Sequence, residues 1–180
     1  MTIEVIRGIT GTKATQVMNL LRASRNDLIK NVCKNCGRNA GKNAVALSDK
    51  DVTSEYFCNI KEDEALLLKE NDEIIGILSY IKCYDKNEDV NNFGLFIHTL
   101  IIHPDYRRKR LGTNLMKAFE DIWQSRKVIV TACSRNEELK EFLSKNLYMV
   151  VRVCKCAFSD CYGADLYTKH TSEYSESIEE

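Results

Sequence analysis

Four consecutive cations near the middle of the chain follow an apolar segment and precede a glycine. The apolar segment runs from Leu95 to Ile102, and residues 107–112 read Arg-Arg-Lys-Arg-Leu-Gly. This order predicts a buried strand, a basic loop and the start of a helix. Free N–H groups at a helix N-terminus, beside cations and a glycine, suit a phosphate or pyrophosphate. A strand that leads into such a site indicates a ligand with a phosphate end and a long organic end, as in coenzyme A. A solvated basic turn or a nuclear-import patch is the competing interpretation.

Length and composition indicate one globular domain, which we expect over residues 1–170, with an acidic and flexible tail over 171–180. The chain has 180 residues, of which 44% are hydrophobic and 29% charged. Its 26 basic and 26 acidic residues give no net charge, whereas a nucleic-acid-binding protein usually has a basic excess. Near the start, the sequence has no apolar stretch long enough for a signal peptide or membrane helix. We therefore expect a cytoplasmic protein with no nucleic-acid or membrane partner.

Eight cysteines are many for this length, and their spacing raises the question of a zinc site. Cys33 and Cys36 form one close pair, and Cys154 and Cys156 form another, with Cys161 nearby. The two segments are far apart in sequence, and no histidine has ligand spacing. A small zinc-stabilised interaction protein is one interpretation. We expect instead no metal, and reduced thiols that pack as small apolar groups.

Hydrophobic periodicity predicts alternating strands and helices along the whole chain. The expected order is β-α-α-β-β-β-α-β-α-β-β. The expected elements are a strand at 2–7, helices at 13–30 and 49–58, a hairpin at 65–68 and 73–84, a strand at 95–102, a helix from 111, a strand at 127–132, a helix ending near 146, and strands at 148–154 and 164–169. Such an order predicts a single mixed α/β domain.

The central segment, with its strand and helix, resembles the GNAT (Gcn5-related N-acetyltransferase) superfamily. The family signature is Arg or Gln, two residues, Gly, one residue, then Gly or Ala, between a central strand and a helix. Arg107 and Gly112 occupy its first and last positions, while Arg110 stands where the first glycine is expected. The resemblance implies an α/β fold: a single-domain GNAT-like mixed, mostly antiparallel central sheet flanked by helices.

The resemblance also implies that acetyl-CoA binds as co-substrate, with no metal. Backbone N–H groups of the basic turn would hold the pyrophosphate, and the edge of the 95–102 strand would pair with the pantetheine arm. An N–H of Ile101 or Ile102 would stabilise the oxyanion. The expected contacts with the co-substrate are Leu100, Ile101, Ile102, Arg107, Arg108, Lys109, Arg110, Leu111, Gly112, Thr113 and Asn136.

The reaction that the resemblance implies is direct attack of a primary amine on the acetyl thioester. His98 is the candidate base, because imidazole titrates near neutral pH, and a hydrogen-bonded core histidine is the alternative. Leu143 occupies the place of the family's tyrosine acid, so that Ser144 and Tyr148 become the candidate proton donors. A half-buried aromatic is the alternative for Tyr148. The same two departures, at residues 110 and 143, leave open a non-catalytic acyl-CoA-binding module. The expected partner is a small-molecule or peptide amine, and a homodimer is also considered.

Overall fold

One seven-stranded sheet organises the chain. A computed structural model describes residues 1–26, 28, 49–84, 93–124, 126–133, 137–154 and 164–170. The strands are β1 (Thr2–Arg7), β2 (Glu64–Glu70), β3 (Glu73–Tyr84), β4 (Phe93–Ile102), β5 (Lys127–Cys133), β6 (Met149–Cys154) and β7 (Ala164–His170). The helices that flank them are α1 (Gly11–Ala23), α2 (Asp49–Ile60), α3 (Leu111–Ile122) and α4 (Glu137–Lys145), and a 3₁₀ turn spans Pro104–Tyr106.

The sheet is mixed and mostly antiparallel, which confirms the predicted fold class. Its strand order is β1-β2-β3-β4-β5-β7-β6. Among the described strands, the central pair β4–β5 is parallel, and every other neighbouring pair is antiparallel. The two strands of the parallel pair are joined through α3, as parallel strands require a long crossover.

Each face of the sheet carries its own apolar core. On one face, α3 and α4 pack through buried side chains such as Phe119 and Leu143. On the other face, α1 and α2 pack through side chains such as Leu21 and Ile60. A side chain in the middle of β4 therefore points either to the α3 side or to the α2 side, and its direction determines which residues it can contact.

The hairpin of β2 and β3 has the two-residue connection that its sequence indicates. Asn71 and Asp72 both have positive φ (50° and 66°). Two left-handed residues in succession are typical of a type I′ turn, whose twist matches that of the strands it joins. The predicted antiparallel hairpin is confirmed, with register from Glu70 opposite Glu73 onward.

The first helix is shorter than the periodicity predicts. The expected helix over 13–30 stops at Ala23, because Ser24 leaves the helical conformation (φ −97°, ψ 12°). Helical backbone resumes at residues 25, 26 and 28. Apolar spacing detects the common buried face of both pieces but not the break between them. The acidic tail expected at 171–180 lies outside the described residues.

Candidate active site

The turn between β4 and α3 presents a row of backbone N–H groups. Arg108 and Arg110 are both left-handed (φ 61° and 60°), and Leu111 begins the right-handed helix. Asn114 donates the first helical bond, to the Arg110 carbonyl at 3.0 Å. Within the described part of the chain, the N–H groups of residues 108–113 donate to no backbone carbonyl. A left-handed residue followed by a right-handed one aims successive N–H groups at a common point, which creates an anion-binding concavity.

Cationic side chains surround this concavity in two different ways. Arg107 folds back, and its Nε donates to the Ile102 carbonyl at 3.0 Å, which ties the turn to the end of β4. Arg108, Lys109 and Arg110 are exposed. They add positive potential to the dipole of α3 at its N-terminus.

Gly112 allows α4 to approach the first turn of α3. A Cβ placed on Gly112 would lie 3.3 Å from the Phe142 ring and 3.8 Å from Ile102. The missing side chain thus serves helix packing, in addition to the close approach of a phosphate suggested by sequence. Leu111 is buried and Thr113 is exposed, so that only the backbone of Leu111 can contribute to the concavity.

The strands β4 and β5 pair over only three residues and then separate. Leu95–Ile97 pair with Val128–Val130, and no pairing with β5 follows among the described residues of β4. On its other side, β4 remains paired with β3 as far as Ile102. The second half of β4 therefore has an open edge, and this edge leads directly to the turn before α3.

The alternation of the backbone shows which residues face the open edge. The His103 N–H donates to the Ile75 carbonyl in β3 at 2.8 Å. Residues two apart in a strand direct their N–H and C=O groups to the same side. Leu100 and Ile102 consequently direct theirs away from β3, and Arg107 reaches the Ile102 carbonyl from that side. Ile101 directs its backbone groups toward β3 and its side chain into the core beneath α1 and α2.

His98 is the inserted residue of a β-bulge. Ile97 pairs with Tyr80 and Thr99 pairs with Ser79, which leaves His98 without a partner in β3. Because of the inserted residue, the side chains that follow it in β4 point to the opposite face of the sheet from the one that regular alternation would give. Ile97 packs in the core beneath α3, whereas Ile101, an even number of residues later, packs in the core beneath α2.

The His98 side chain lies on the α2 side and binds a buried carboxylate. Its Nδ1 is 2.9 Å from Oδ2 of Asp63, whose side chain is 5% exposed, while the His98 side chain is 31% exposed. The Phe96 ring meets the imidazole edge-on at 5.1 Å between centroids. A partly exposed imidazole with one nitrogen occupied has the geometry of a base, since the other nitrogen can accept a proton.

Tyr56 of α2 holds the same part of β4. Its hydroxyl accepts a hydrogen bond from Thr99 Oγ1 at 2.9 Å and donates one to the His98 carbonyl at 3.4 Å. Burial raises the pKa of Tyr56, and the charge of Asp63 acts in the same direction. The hydroxyl therefore stays protonated at neutral pH and supports the backbone of the bulge.

The two proton donors suggested by sequence lie in different environments. Tyr148 is buried, and its hydroxyl donates to Glu120 at 3.0 Å, with Lys169 bound to the other carboxylate oxygen at 2.8 Å. Burial, followed by the charge of Glu120, raises the pKa of Tyr148 far above its ordinary value. Ser144 is exposed on α4, and Leu143 is fully buried in the core beneath α3. To donate a proton to a substrate, Tyr148 would have to break its bond to Glu120.

Other predicted features fall partly outside the described residues. Asn136 and the cysteines Cys33, Cys36 and Cys156 lie there. Among the residues that are described, no three His, Cys, Asp or Glu side chains are grouped to hold a metal ion. In the same part of the chain, no helix has the length and apolarity needed to cross a membrane.

Asp63 and Tyr56 are residues that the sequence analysis missed. They lie 35 and 42 positions away from His98 and contact its side chain and its carbonyl, respectively. Asp63 stands in a polar stretch between α2 and β2, where a carboxylate usually faces solvent. Tyr56 follows the apolar pattern of α2. Neither residue carries a local signal of its role, because the contact depends on how α2 and β2 pack against β4.

Comparisons with known proteins agree with this geometry. A sequence model described as the acetyltransferase (GNAT) family matches residues 39–146. An uncharacterized N-acetyltransferase in the lysA 3' region of Bacillus methanolicus is 29% identical over 86 residues, or 47% of this chain and 62% of that protein. The matched segment thus spans less than two thirds of that relative.

Solved structures show the same fold. An aminoglycoside 6'-N-acetyltransferase complexed with coenzyme A superposes with a TM-score of 0.66 and 16% identity, covering 98% of this chain and 100% of that one. Arabidopsis thaliana Naa50, in complex with the bisubstrate analogue CoA-Ac-MVNAL, superposes with a TM-score of 0.57 and 15% identity, covering 94% and 99% of the two chains. At these identities, the likeness concerns the fold.

Proposed function

Since the chain belongs to the acetyltransferase (GNAT) family, we propose that it transfers an acetyl group from acetyl-CoA to a primary amine by direct attack. The observation that carries this proposal is the continuity of the open β4 edge with the N–H concavity at the start of α3. One elongated ligand with a diphosphate can use both at once. Structural neighbours that carry coenzyme A or a CoA-peptide analogue support the same choice of ligand.

Binding of acetyl-CoA would use backbone groups more than side chains. The N–H groups from Arg108 to Thr113 would hold the pyrophosphate, with the exposed cations increasing its local concentration. The C=O of Leu100 and the N–H of Ile102 would pair with a pantetheine amide. Ile101 would act only by keeping β4 in the sheet, since its own backbone groups face β3 and not acetyl-CoA.

His98 would act as the base. An alkyl ammonium has a pKa of about 10.4 in water, so that most of the acceptor arrives protonated and must lose a proton before attack. The imidazole of His98 can take this proton directly or through a water molecule. The amine nitrogen then forms a bond to the acetyl carbon, the carbon–sulfur bond breaks to release CoA, and the second proton on the nitrogen passes through water to the leaving thiolate. Of the two residues whose N–H groups face the open β4 edge, Leu100 is the nearer to His98, and its N–H would stabilise the oxyanion.

The leaving thiolate would need no dedicated acid. An ordinary thiol has a pKa near 8.5, so a thiolate leaves readily at neutral pH and takes a proton afterwards. The position of Tyr148, bound to Glu120, fits a supporting role in the core better than donation. Ser144, on the exposed side of α4, keeps the alternative role of donor through water.

Two measurements test the proposal. Titration calorimetry should show one CoA site whose affinity falls with added salt, because exposed cations contribute to it. An acetylation assay with a panel of small amines and peptide N-termini should then find a substrate. His98→Ala should lower kcat by about 100-fold or more. His103→Ala removes a second imidazole outside the bulge and should keep the parent kcat.

A second candidate is a non-catalytic acyl-CoA-binding module. Two observations favour it: Leu143 is buried where the family has a tyrosine, and the Tyr148 hydroxyl already binds Glu120. The same two measurements distinguish the candidates. CoA binding without acetylation of any amine would support the module, and absence of CoA binding would overturn both.

A further inference from the structure

Asp63 has no role in the proposed acetyl transfer, although its backbone and its side chain are both held in place. Its N–H donates to the Ile60 carbonyl at the end of α2, and its carbonyl accepts from the Gly8 N–H, both at 3.0 Å. The backbone of Asp63 is thus held by two separate elements. Its side chain is 5% exposed and points at the bulge of β4.

A carboxylate so deeply buried needs a partner, because removing an ion from water is costly unless hydrogen bonds replace the lost hydration. Oδ2 of Asp63 finds this partner in Nδ1 of His98, at 2.9 Å. Tyr56 is the other titratable group at this place, and it binds the His98 carbonyl and Thr99 rather than the imidazole. The orientation of the imidazole therefore depends on Asp63.

We propose that Asp63 is a positioning residue that holds His98 in the tautomer with its proton on Nδ1. This inference rests on the proposed function, in which His98 is the base. An ionised carboxylate only accepts hydrogen bonds, so the nitrogen facing it must carry the proton. In the neutral ring, Nε2 then keeps the lone pair that accepts a proton from the amine or its water. The edge-on contact with Phe96 limits rotation of the ring.

The alternative is that Asp63 only stabilises the fold. In that case the tautomer of His98 would be set by other groups, and removal of the Asp63 charge would change stability without changing kcat at a temperature where the protein is folded. The two roles therefore differ in what Asp63→Asn does to the imidazole. They also differ in whether Asp63→Glu, which keeps the charge, restores the Nδ1–H tautomer of His98 and the value of kcat.

The test compares the parent with Asp63→Asn, Asp63→Glu and the control Glu62→Gln, whose carboxylate is exposed. The chain has three histidines, so imidazole ¹⁵N spectra at alkaline pH resolve each ring, and His98→Ala identifies its signals. The parent and Glu62→Gln should show the Nδ1–H tautomer at His98. Asp63→Asn should show a mixture or the Nε2–H tautomer, with partial recovery in Asp63→Glu. The proposal is overturned if His98 of the parent is mainly in the Nε2–H tautomer, or if a folded Asp63→Asn shows the same His98 tautomer as the parent.

Kinetics provide the second readout. Asp63→Asn should lower kcat by roughly 10- to 100-fold with little change in the KM for acetyl-CoA, because its effect passes through His98 and not through the CoA site. An unchanged kcat in folded Asp63→Asn would contradict the positioning role while acetyl transfer by the parent stood. If the parent acetylated no amine, the proposed function would fail, and the NMR result would still decide whether Asp63 sets the tautomer.

Discussion

Arg110 immediately precedes α3 and adopts the left-handed conformation, with φ 60°. A residue with a Cβ pays a steric cost of about 1–2 kcal/mol in this region, because Cβ approaches the following carbonyl oxygen. Glycine removes that cost but raises the entropy of the unfolded chain, which offsets about 0.4–1 kcal/mol. We therefore expect Arg110→Gly to increase the free energy of unfolding by about 0.5–1 kcal/mol.

Thermal unfolding measures this change directly. For a chain of this size, each kcal/mol shifts the midpoint by about 2–4 °C, so Arg110→Gly should raise Tm by roughly 1–4 °C. Titration calorimetry with CoA should show a modest loss of affinity. An exposed charge pair contributes about 0.2–1 kcal/mol, which corresponds to no more than about a fivefold change in Kd. The variant should thus be more stable and a slightly weaker binder.

Lys109→Gly is the matched control. It removes one positive charge from the same turn, but Lys109 is not among the residues with positive φ. Glycine relieves no strain there, and the contact of Lys109 Nζ with the Tyr106 ring, 5.1 Å from its centroid, is lost. Tm should fall while CoA affinity decreases about as much as in Arg110→Gly. If Tm of Arg110→Gly were equal to or below that of Lys109→Gly, the strain assigned to residue 110 would be refuted.

Two further substitutions test the site. Gly112→Asp places a carboxylate at the N-terminus of α3 and should weaken CoA binding at least tenfold, because its charge would repel the diphosphate and offset the positive potential of the turn. Gly112→Ala is its uncharged control, and parent-like affinity in Gly112→Asp would remove the turn from the site. Tyr148→Phe deletes the hydrogen bond to Glu120 and should lower the free energy of unfolding by about 1–3 kcal/mol in denaturant titration, with kcat unchanged. A large drop in kcat in a folded Tyr148→Phe would instead assign the acid role to Tyr148.

Regular elements were predictable because their signals are local. The hairpin follows from two strand patterns with Asn71 and Asp72 between them, and a left-handed pair at that place needs no tertiary information. The turn before α3 follows likewise from its position between strand and helix. The break at Ser24 was missed, because apolar spacing continues across it and a serine within a helix is not by itself a stop signal.

The environment of His98 was not predictable in the same way. The sequence identified the residue and its strand, but a bulge depends on the register against β3, which no local pattern specifies. The bond to Asp63 further requires α2 to end beside β2, 35 positions earlier in the chain. Leu147 likewise has a positive φ (66°), which its side-chain type does not indicate.

The bulge links the two halves of the proposed site. A bulge bends its strand and increases the local twist, and pairing of β4 with β5 ends at Ile97, one residue before the insertion. His98 points toward α2 and Asp63 by ordinary alternation from Ile97, and the insertion places Thr99 and Ile101 on that same side. The proposed CoA groove therefore begins beside the residue that carries the base, so that a change which straightened β4 at residue 98 would disturb both. Tyr56 donates to the His98 carbonyl within this bulge, and so its support extends to both functions.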